Sequence, residues 1–368
     1  MTAPLLVIAA GGTGGHMYPA QALAEEMLGR GWRVALASDA RGLRYAGGFP
    51  EAVRRMELDA ASPSQGGLGA RLAAPLRLYR GIKAARAAFG ADRPAVVAGF
   101  GGYPAVPALA AAWTMEVPRI LHEQNGVLGR VNRIFARHVA MVCCGTWPLA
   151  NPPAGVRLEP IGNPVRAAIA AERASVYGMP STEGPVRLLV FGGSQGASVF
   201  SRTIPQAVAM LPEALRERMS VVQQARDGEE AGVLSAYRAA GVAAEVAPFF
   251  QDMPARLAAS QLVIARAGAS TVAELACVGR PALLVPYPHA MDDHQSANAA
   301  ALAGAGGARV MPEPGLTAGA LAAVLRELLV EAPETCGTMA AAAWSQGRPG
   351  AAVALGDIVQ ALHADASG

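Results

Sequence analysis

The chain is 368 residues long, enough for two domains with sizeable cores. Its apolar content is 52% with only 5% aromatic, and 42 glycines with 27 prolines mark a turn-rich α/β chain rather than a disordered one. A net charge of +3 argues against nucleic acid as a partner, and four cysteines, two of them adjacent at Cys143 and Cys144, offer neither a disulfide framework nor a metal-ligand spacing.

Leu5 to Ala10 is an apolar run with no charged region ahead of it, so it reads as a first strand and not a signal peptide. It empties into GGTGGHMYPA, Gly11 to Ala20, where Pro19 suits the first turn of a helix running to about Leu28. Gly29 and Gly31 end that helix, and Arg33 to Ala37 is the second strand. The dinucleotide fingerprint G-x-G-x-x-G, begun at Gly12, fails at Met17, although Asp39 stands where a ribose-binding acid would follow the second strand. A nicotinamide cofactor is therefore not expected. The loop instead offers backbone N–H groups to an anion, or room for an acceptor pyrophosphate. His16 at its rim is either structural or a substrate contact at the carboxyl end of a strand.

From Ala60 to Ala91 there is no acidic residue, while Arg71, Arg77, Arg80, Lys83 and Arg86 are basic. Pro75 can open a helix on which Leu78, Tyr79, Ile82 and Phe89 gather on one side, with the basic residues fanned over the rest. Two readings stand: an ordinary surface helix, or a docking face for anionic lipid. Pro94 to Met115 carries no charge over 22 residues, but its prolines and glycines make it buried strand, loop and helix rather than a membrane span.

A second glycine loop, GFGGYPA from Gly99 to Ala105, follows the strand Ala95 to Ala98. After the strand Arg119 to Leu121 comes the polar cluster His122, Glu123, Gln124, Asn125, either facing a ligand or forming a buried polar network. Val139 to Cys143 closes this sheet, and GNPVR, Gly162 to Arg166, reads as a linker from which Arg166 reaches a phosphate.

The same grammar then repeats. Val186 to Phe191 is a strand, GGSQGA from Gly192 to Ala197 a glycine loop, and the two loops lie 181 residues apart. Two Rossmann-like halves follow, with the cleft between them as the expected place of reaction. Met219 to Gln223, Ala243 to Val246 and Gln261 to Ile264 continue the second sheet. Phe249 and Phe250 follow the third of its strands, as core packing or as a flank for a base, ahead of a short helix from Asp252 to Ala258. In RAGASTVAEL, Ser270 and Thr271 stand where a helix N-cap belongs, and Glu274 lies one turn in. A helix N-terminus is a seat for phosphate, and a carboxylate one turn in can accept from a ribose diol. Glu274 is thus either a diol acceptor or the second half of a capping box. The tail from Thr317 to Ala364 is mostly helical.

Together GGTGGHMYPA, GFGGYPA, HEQNGVLGRVN, GNPVR, FGGSQGA and RAGASTVAEL…GRPALLVPYPHAMDDHQSANA resemble the MurG family, in order, over residues 5 to about 305. The resemblance implies an α/β chain of GT-B fold, two doubly wound Rossmann-like domains facing each other across a deep cleft. Residues 1–164, with a last helix at about 346–364, would form the acceptor and membrane side, and 165–345 the donor side. It implies an inverting transfer of GlcNAc from UDP-GlcNAc to the muramoyl 4-hydroxyl of undecaprenyl-pyrophosphoryl-MurNAc-pentapeptide, converting lipid I to lipid II in peptidoglycan synthesis. By resemblance, Glu274 binds the ribose within a donor-binding run of Gly268, Ala269, Ser270, Thr271, Val272, Ala273 and Glu274, and the backbone at Phe250 meets the uracil edge. The family often has isoleucine at that position. Ser194 and Arg166 meet the diphosphate, Gln295 with His294 beside it the sugar, and Thr13, Gly14, Gly15 and Asn125 the sugar from the other domain. Leu78, Tyr79, Arg80, Ile82, Lys83, Arg86 and Trp113 match a membrane-contact face. The expected place is peripheral, on the cytoplasmic face of the bacterial inner membrane, with an anionic phospholipid surface and cell-wall and division proteins as partners.

His16 is the first candidate for the base, because histidine titrates near neutrality. Asp292 and Asp293 are adjacent rather than alternate, so no D-x-D motif appears and no obligatory metal or other cofactor is expected. Two other functions share these features: a UDP-GlcNAc 2-epimerase-like enzyme, and a non-catalytic scaffold that binds a nucleotide sugar.

Overall fold

A computed structural model describes residues 3–12, 14–60, 68–181, 183–193 and 196–367, with the side chains of 68–72 and 367 left aside. The chain divides into two compact units, Met1–Ala167 with Arg348–Gly368, and Ala168–Gly347.

In the first unit the described strands are β1 (Leu5–Ala9), β2 (Arg33–Ser38), β3 (Arg54–Glu57), β4 (Val96–Gly99), β5 (Arg119–Glu123), β6 (Val142–Cys144) and β7 (Leu158–Glu159). All pair in parallel in the order β3-β2-β1-β4-β5-β6-β7. β1 is buried throughout because it has helices on both faces, and its alternate residues go to different layers. Leu5, Val7 and Ala9 pack with Ala85, Phe89 and Leu109, whereas Leu6 and Ile8 pack with Met17, Leu23 and Met27. The final helix, Ala351–Ser367, joins the second layer through Leu355 and Val359. Arg30 clasps it, donating to Asp357 at 2.7 Å and Gln360 at 2.6 Å.

Several expectations are corrected. The helix after β1 runs Gly14–Gly29, so Pro19 lies inside it and His16 is its third residue rather than a loop residue. The long helix is Leu68–Ala91, and Pro75 sits within it instead of opening it. Helix starts are set by where tertiary contacts hold the chain; a proline in a helix interior loses one N–H donor and crowds the carbonyl four residues back, a cost of about 3 kcal/mol that packing must offset. Ala74, Ala85 and Phe89 form the buried stripe of that helix, while Tyr79 is 64% exposed on its outer side, away from the face the apolar pattern gave it. Val139 to Met141 stays outside the strands; β6 begins at Val142 and β7 closes the sheet.

The second unit's described strands are β8 (Val186–Phe191), β9 (Met219–Gln224), β10 (Ala243–Ala247), β11 (Leu262–Ala265), β12 (Ala282–Leu284) and β13 (Ala308–Val310), parallel in the order β10-β9-β8-β11-β12-β13. Leu188, Val190, Leu262 and Ile264 pack on Phe200, Ile204, Leu321 and Leu325. In both sheets the sequence order reverses beside the first strand, between β1 and β4 and between β8 and β11. The loops after those strands therefore meet at a topological switch point, where open α/β sheets bind ligands.

Candidate functional site

At the first switch point the loops after β1 and β4 touch. Gly102 has φ +77°, and a Cβ there would lie 2.5 Å from the Gly11 carbonyl oxygen. Only glycine satisfies both that backbone conformation and that approach. His16 is half-buried in the first turn of the helix, and a Cβ placed on Gly101 would stand 3.3 Å from its Nε2 and 3.4 Å from Asn132 Nδ2. The bare Gly101 thus separates an imidazole from an amide. Gly14 is buried and Gly15 exposed in the same turn, and Thr13 lies outside the described residues.

The polar cluster after β5 is mostly interior. His122, Glu123 and Gln124 are 1–2% exposed, and β5 extends to Glu123. Glu123 accepts four hydrogen bonds: from Asn125 N and Nδ2 at 3.1 Å each, and from Gly129 N and Asn132 Nδ2 at 2.8 Å each. Burial holds its carboxyl above the usual range against the pull of these donors. Gln124 donates to the Phe100 carbonyl at 3.0 Å. His122 Nε2 lies 3.2 Å from the Gly162 carbonyl, which can only accept, so the proton sits on Nε2. Burial pushes this imidazole down to about 4, leaving it neutral. Of the two readings of this cluster, the network describes residues 122–124, and Asn125 is the half-buried member at its edge. Arg166 belongs to this unit, its guanidinium 4.5 Å from the centre of the Tyr18 ring.

At the second switch point, Ser194 lies outside the described residues. Gly192 N donates to Gln224 Oε1 at 3.1 Å, and Gln224 Nε2 donates to the Pro248 carbonyl at 3.0 Å. One amide thus ties the glycine loop to the segment carrying Phe249 and Phe250. Phe250 is 6% exposed under Arg256, whose guanidinium stands 4.3 Å from its ring centre, so its side chain is core, while Phe249 is 63% exposed.

The helix after β11 is Ala269–Val278, and its N-cap is Gly268, which supplies no side-chain cap. Ser270 and Thr271 are therefore in the first turn and not at the cap. Its first backbone bond runs from Val272 N to the Gly268 carbonyl at 2.9 Å. A capping box from this cap would need its acid at Thr271. Glu274 is three residues beyond, in the second turn beside Ala273, and 8% exposed. The capping account of Glu274 therefore fails.

The helix His294–Gly304 braces this seat. Gln295 Oε1 accepts from Ala267 N at 3.2 Å and Tyr287 N at 3.0 Å, and buried Asn298 donates to the Ala267 carbonyl at 3.2 Å. Gln295 therefore keeps only its Nε2 donors for a ligand. His294 Nδ1 is 2.7 Å from the Met291 carbonyl, to which it donates. Arg266 donates to the carbonyls of Val285 and Pro286 and pairs with Glu313. Sequence reading missed Gln224, Arg266 and Asn298 here and Asn132 in the first unit. The available signal was a polar residue at the carboxyl end of a buried strand for Gln224 and Arg266, and one helical turn beyond Gln295 for Asn298; Asn132, inside the helix Arg130–Phe135, carried neither.

Of the membrane-contact candidates, Arg80 and Lys83 are exposed, Leu78 and Ile82 are half-buried, and Arg86 donates to Thr114 Oγ1 at 2.5 Å. Trp113 is 45% exposed and stacks on His138 at 4.1 Å. Among the described residues no helix is long and apolar enough to cross a membrane, and no group of three or more His, Cys, Asp or Glu is placed to hold a metal ion.

Two parallel sheets, each with a glycine loop at its switch point, are the architecture of GT-B glycosyltransferases, the class that the family and structural matches show. Residues 6–144 match the glycosyltransferase family 28 N-terminal domain, and residues 187–354 match the family 28 C-terminal domain. The chain belongs to the MurG family of these enzymes. It is 48% identical over 98% of its length, and 96% of the relative's, to a Mesorhizobium japonicum protein named UDP-N-acetylglucosamine–N-acetylmuramyl-(pentapeptide) pyrophosphoryl-undecaprenol N-acetylglucosamine transferase. A Methylobacterium protein of the same name is 50% identical over 97% of this chain and 96% of its own. The crystal structure of Acinetobacter baumannii MurG superposes with a TM-score of 0.77 at 28% identity, covering 97% of this chain and 99% of that one.

Proposed function

We propose that this chain transfers N-acetylglucosamine from UDP-GlcNAc to the muramoyl 4-hydroxyl of undecaprenyl-pyrophosphoryl-MurNAc-pentapeptide, inverting the anomeric carbon. The observation that carries the reading is similarity across both units, from end to end, to relatives of that name at 48–50% identity. Glu274 adds support from the geometry. It is a buried carboxylate in the second turn of a helix, with no capping role, in the unit that would hold the nucleotide.

The acceptor oxygen attacks C1 of the sugar, the bond from C1 to the diphosphate oxygen breaks, and that oxygen leaves with the bonding pair. The hydroxyl proton goes to His16, the imidazole held beside Gly101 and Asn132. Charge growing on UDP is met by N–H groups at the start of the helix Ala269–Val278, so the reading needs no metal. Asn125, and the Nε2 of Gln295, hold sugar hydroxyls in line. The outer face of the helix Leu68–Ala91, with Leu76, Tyr79, Arg80 and Lys83 exposed, would rest on anionic lipid at the cytoplasmic face of the inner membrane. Cell-wall and division proteins are the further partners in this reading.

The test is transfer of labelled GlcNAc from UDP-GlcNAc to a short-chain analogue of the lipid-linked acceptor, with Glu274→Ala beside the wild type. Lipid-linked product from the wild type and much weaker donor use by the variant are expected. UDP binding without product would overturn the transferase reading.

A further inference from the structure

We infer that Glu123 is a positioning residue for the transfer step, one carboxylate that orients both Asn125 and Asn132 around the acceptor side of the reaction. The inference rests on the transferase reading above.

Glu123 ends β5 and is 2% exposed. A buried carboxylate is costly unless its lone pairs are filled. Its partners among the described residues are N–H donors and no cation. The arrangement is divided evenly. Oε1 takes the backbone and the side-chain amide of Asn125, and Oε2 takes Gly129 N and the side-chain amide of Asn132. A brace for the loop alone would need only the two backbone bonds, those from residues 125 and 129. The other two orient two side chains, that of Asn125 and, together with the His122 carbonyl at 3.2 Å, that of Asn132.

Those directions matter. An ionised carboxylate accepts and cannot donate, so each amide must turn its nitrogen towards Glu123. The oxygen of Asn125 is thereby turned away from the carboxylate. Asn132 Nδ2 is drawn to the Gly101 surface that His16 also borders, the two lying 3.4 Å and 3.3 Å from the place a Cβ would take. The group assigned to the transferred sugar and the neighbour of the assigned base thus depend on the same two oxygens.

Glu123→Gln keeps the size but aims an NH2 at one pair of donors. The measurements are kcat with a short-chain lipid-linked acceptor, UDP binding by calorimetry, and a double-mutant cycle with Asn125→Ala. A fall in kcat of about 10²-fold is expected, the scale of a misplaced reacting group, with UDP binding changed less than about twofold. The loss should be smaller in the Asn125→Ala background, the remainder coming through Asn132, because coupled sites are non-additive. A purely structural residue would lower thermal stability and add its loss in full. Normal kcat in Glu123→Gln, or full additivity with Asn125→Ala, overturns the positioning role. Should Glu123→Gln not fold, Asn132→Ala removes one donor and leaves the charge held by three. Lowered kcat with unchanged UDP binding then supports the role, and normal kcat overturns it. A wild type that binds UDP but transfers no sugar overturns the transferase reading itself, and the positioning role with it.

Discussion

Gly101→Ala is the sharpest probe of the His16 assignment. Gly101 has φ +88°, where an L side chain costs about 1–2 kcal/mol. The new Cβ would also stand 3.3 Å from His16 Cδ2 and Nε2 and 3.4 Å from Asn132 Nδ2, a few tenths of an ångström inside ordinary contact. The imidazole and the amide are side-chain groups and must yield. If they shift by about half an ångström, kcat should fall about tenfold, on a scale where 1 Å costs about 10²-fold. Gly31→Ala is the control, with φ +78° and nothing within 4 Å of the added Cβ. Both variants carry the backbone strain and should lose about 2–8 °C in Tm, at about 2–4 °C per kcal/mol for a unit of this size. Only Gly101→Ala should lose turnover. Thermal melts and transfer kinetics on the pair decide it. Equal kcat in the two variants would refute the reasoning that His16 must sit where it does for proton transfer.

The other expectations are more direct. His16→Ala should lower kcat by about 10²–10⁴-fold and leave UDP binding nearly unchanged; near-normal kcat removes His16 as the base. Burial pushes His122 down to about 4, below its ordinary 6.5, so the unfolded chain takes up the proton first as pH falls. The stability this group contributes is complete above 6.5 and lost towards 4, by roughly 3 kcal/mol. Glu123, raised by burial, acts in the opposite sense, so urea unfolding of His122→Gln beside the wild type at pH 7 and pH 5 isolates the effect. Identical pH dependence in the two would contradict it. Replacing both Arg80 and Lys83 by glutamate should weaken binding to anionic vesicles while sparing transfer to a soluble acceptor, each lost cation contributing about 1 kcal/mol near the surface. Unchanged vesicle binding would move the contact elsewhere. Turnover should survive chelation; loss restored by magnesium would require a metal in the reaction.

Much of the second sheet was legible because buried parallel strands are short apolar runs between glycine turns. Val186 to Phe191 was read to the residue, and Ala243 to Val246 to within one. Helix starts were not. Pro19 and Ser270 carry strong local preferences for a first turn or a cap, yet the helices begin at Gly14 and Ala269. Glycine at an N-cap, as at Gly268, is a weaker and less position-specific signal than Ser or Asp, because it supplies no side-chain acceptor. Tyr79 was misplaced for a related reason. The stripe that packs is made mostly of alanine and glycine, with Phe89 as its one large member, and these small residues let the neighbouring segments approach closely, as a Cβ on Gly81, 2.0 Å from the Asp59 carbonyl oxygen, illustrates.

By itself the sequence determined the two-half α/β architecture, the positions of the glycine loops and the family, because each depends on local chemistry: apolar period, breakers and the spacing of motifs. Only the tertiary structure decided how Glu274, Gln295 and Glu123 are placed and which hydrogen bonds the last two make. Glu274 is freed from capping by the position of Gly268, Gln295 has its oxygen committed to two backbone N–H groups, and Glu123 gathers donors from residues 125, 129 and 132. The role of a polar side chain is set by which of its hydrogen-bonding positions the fold has already filled, and a list of residues does not contain that information.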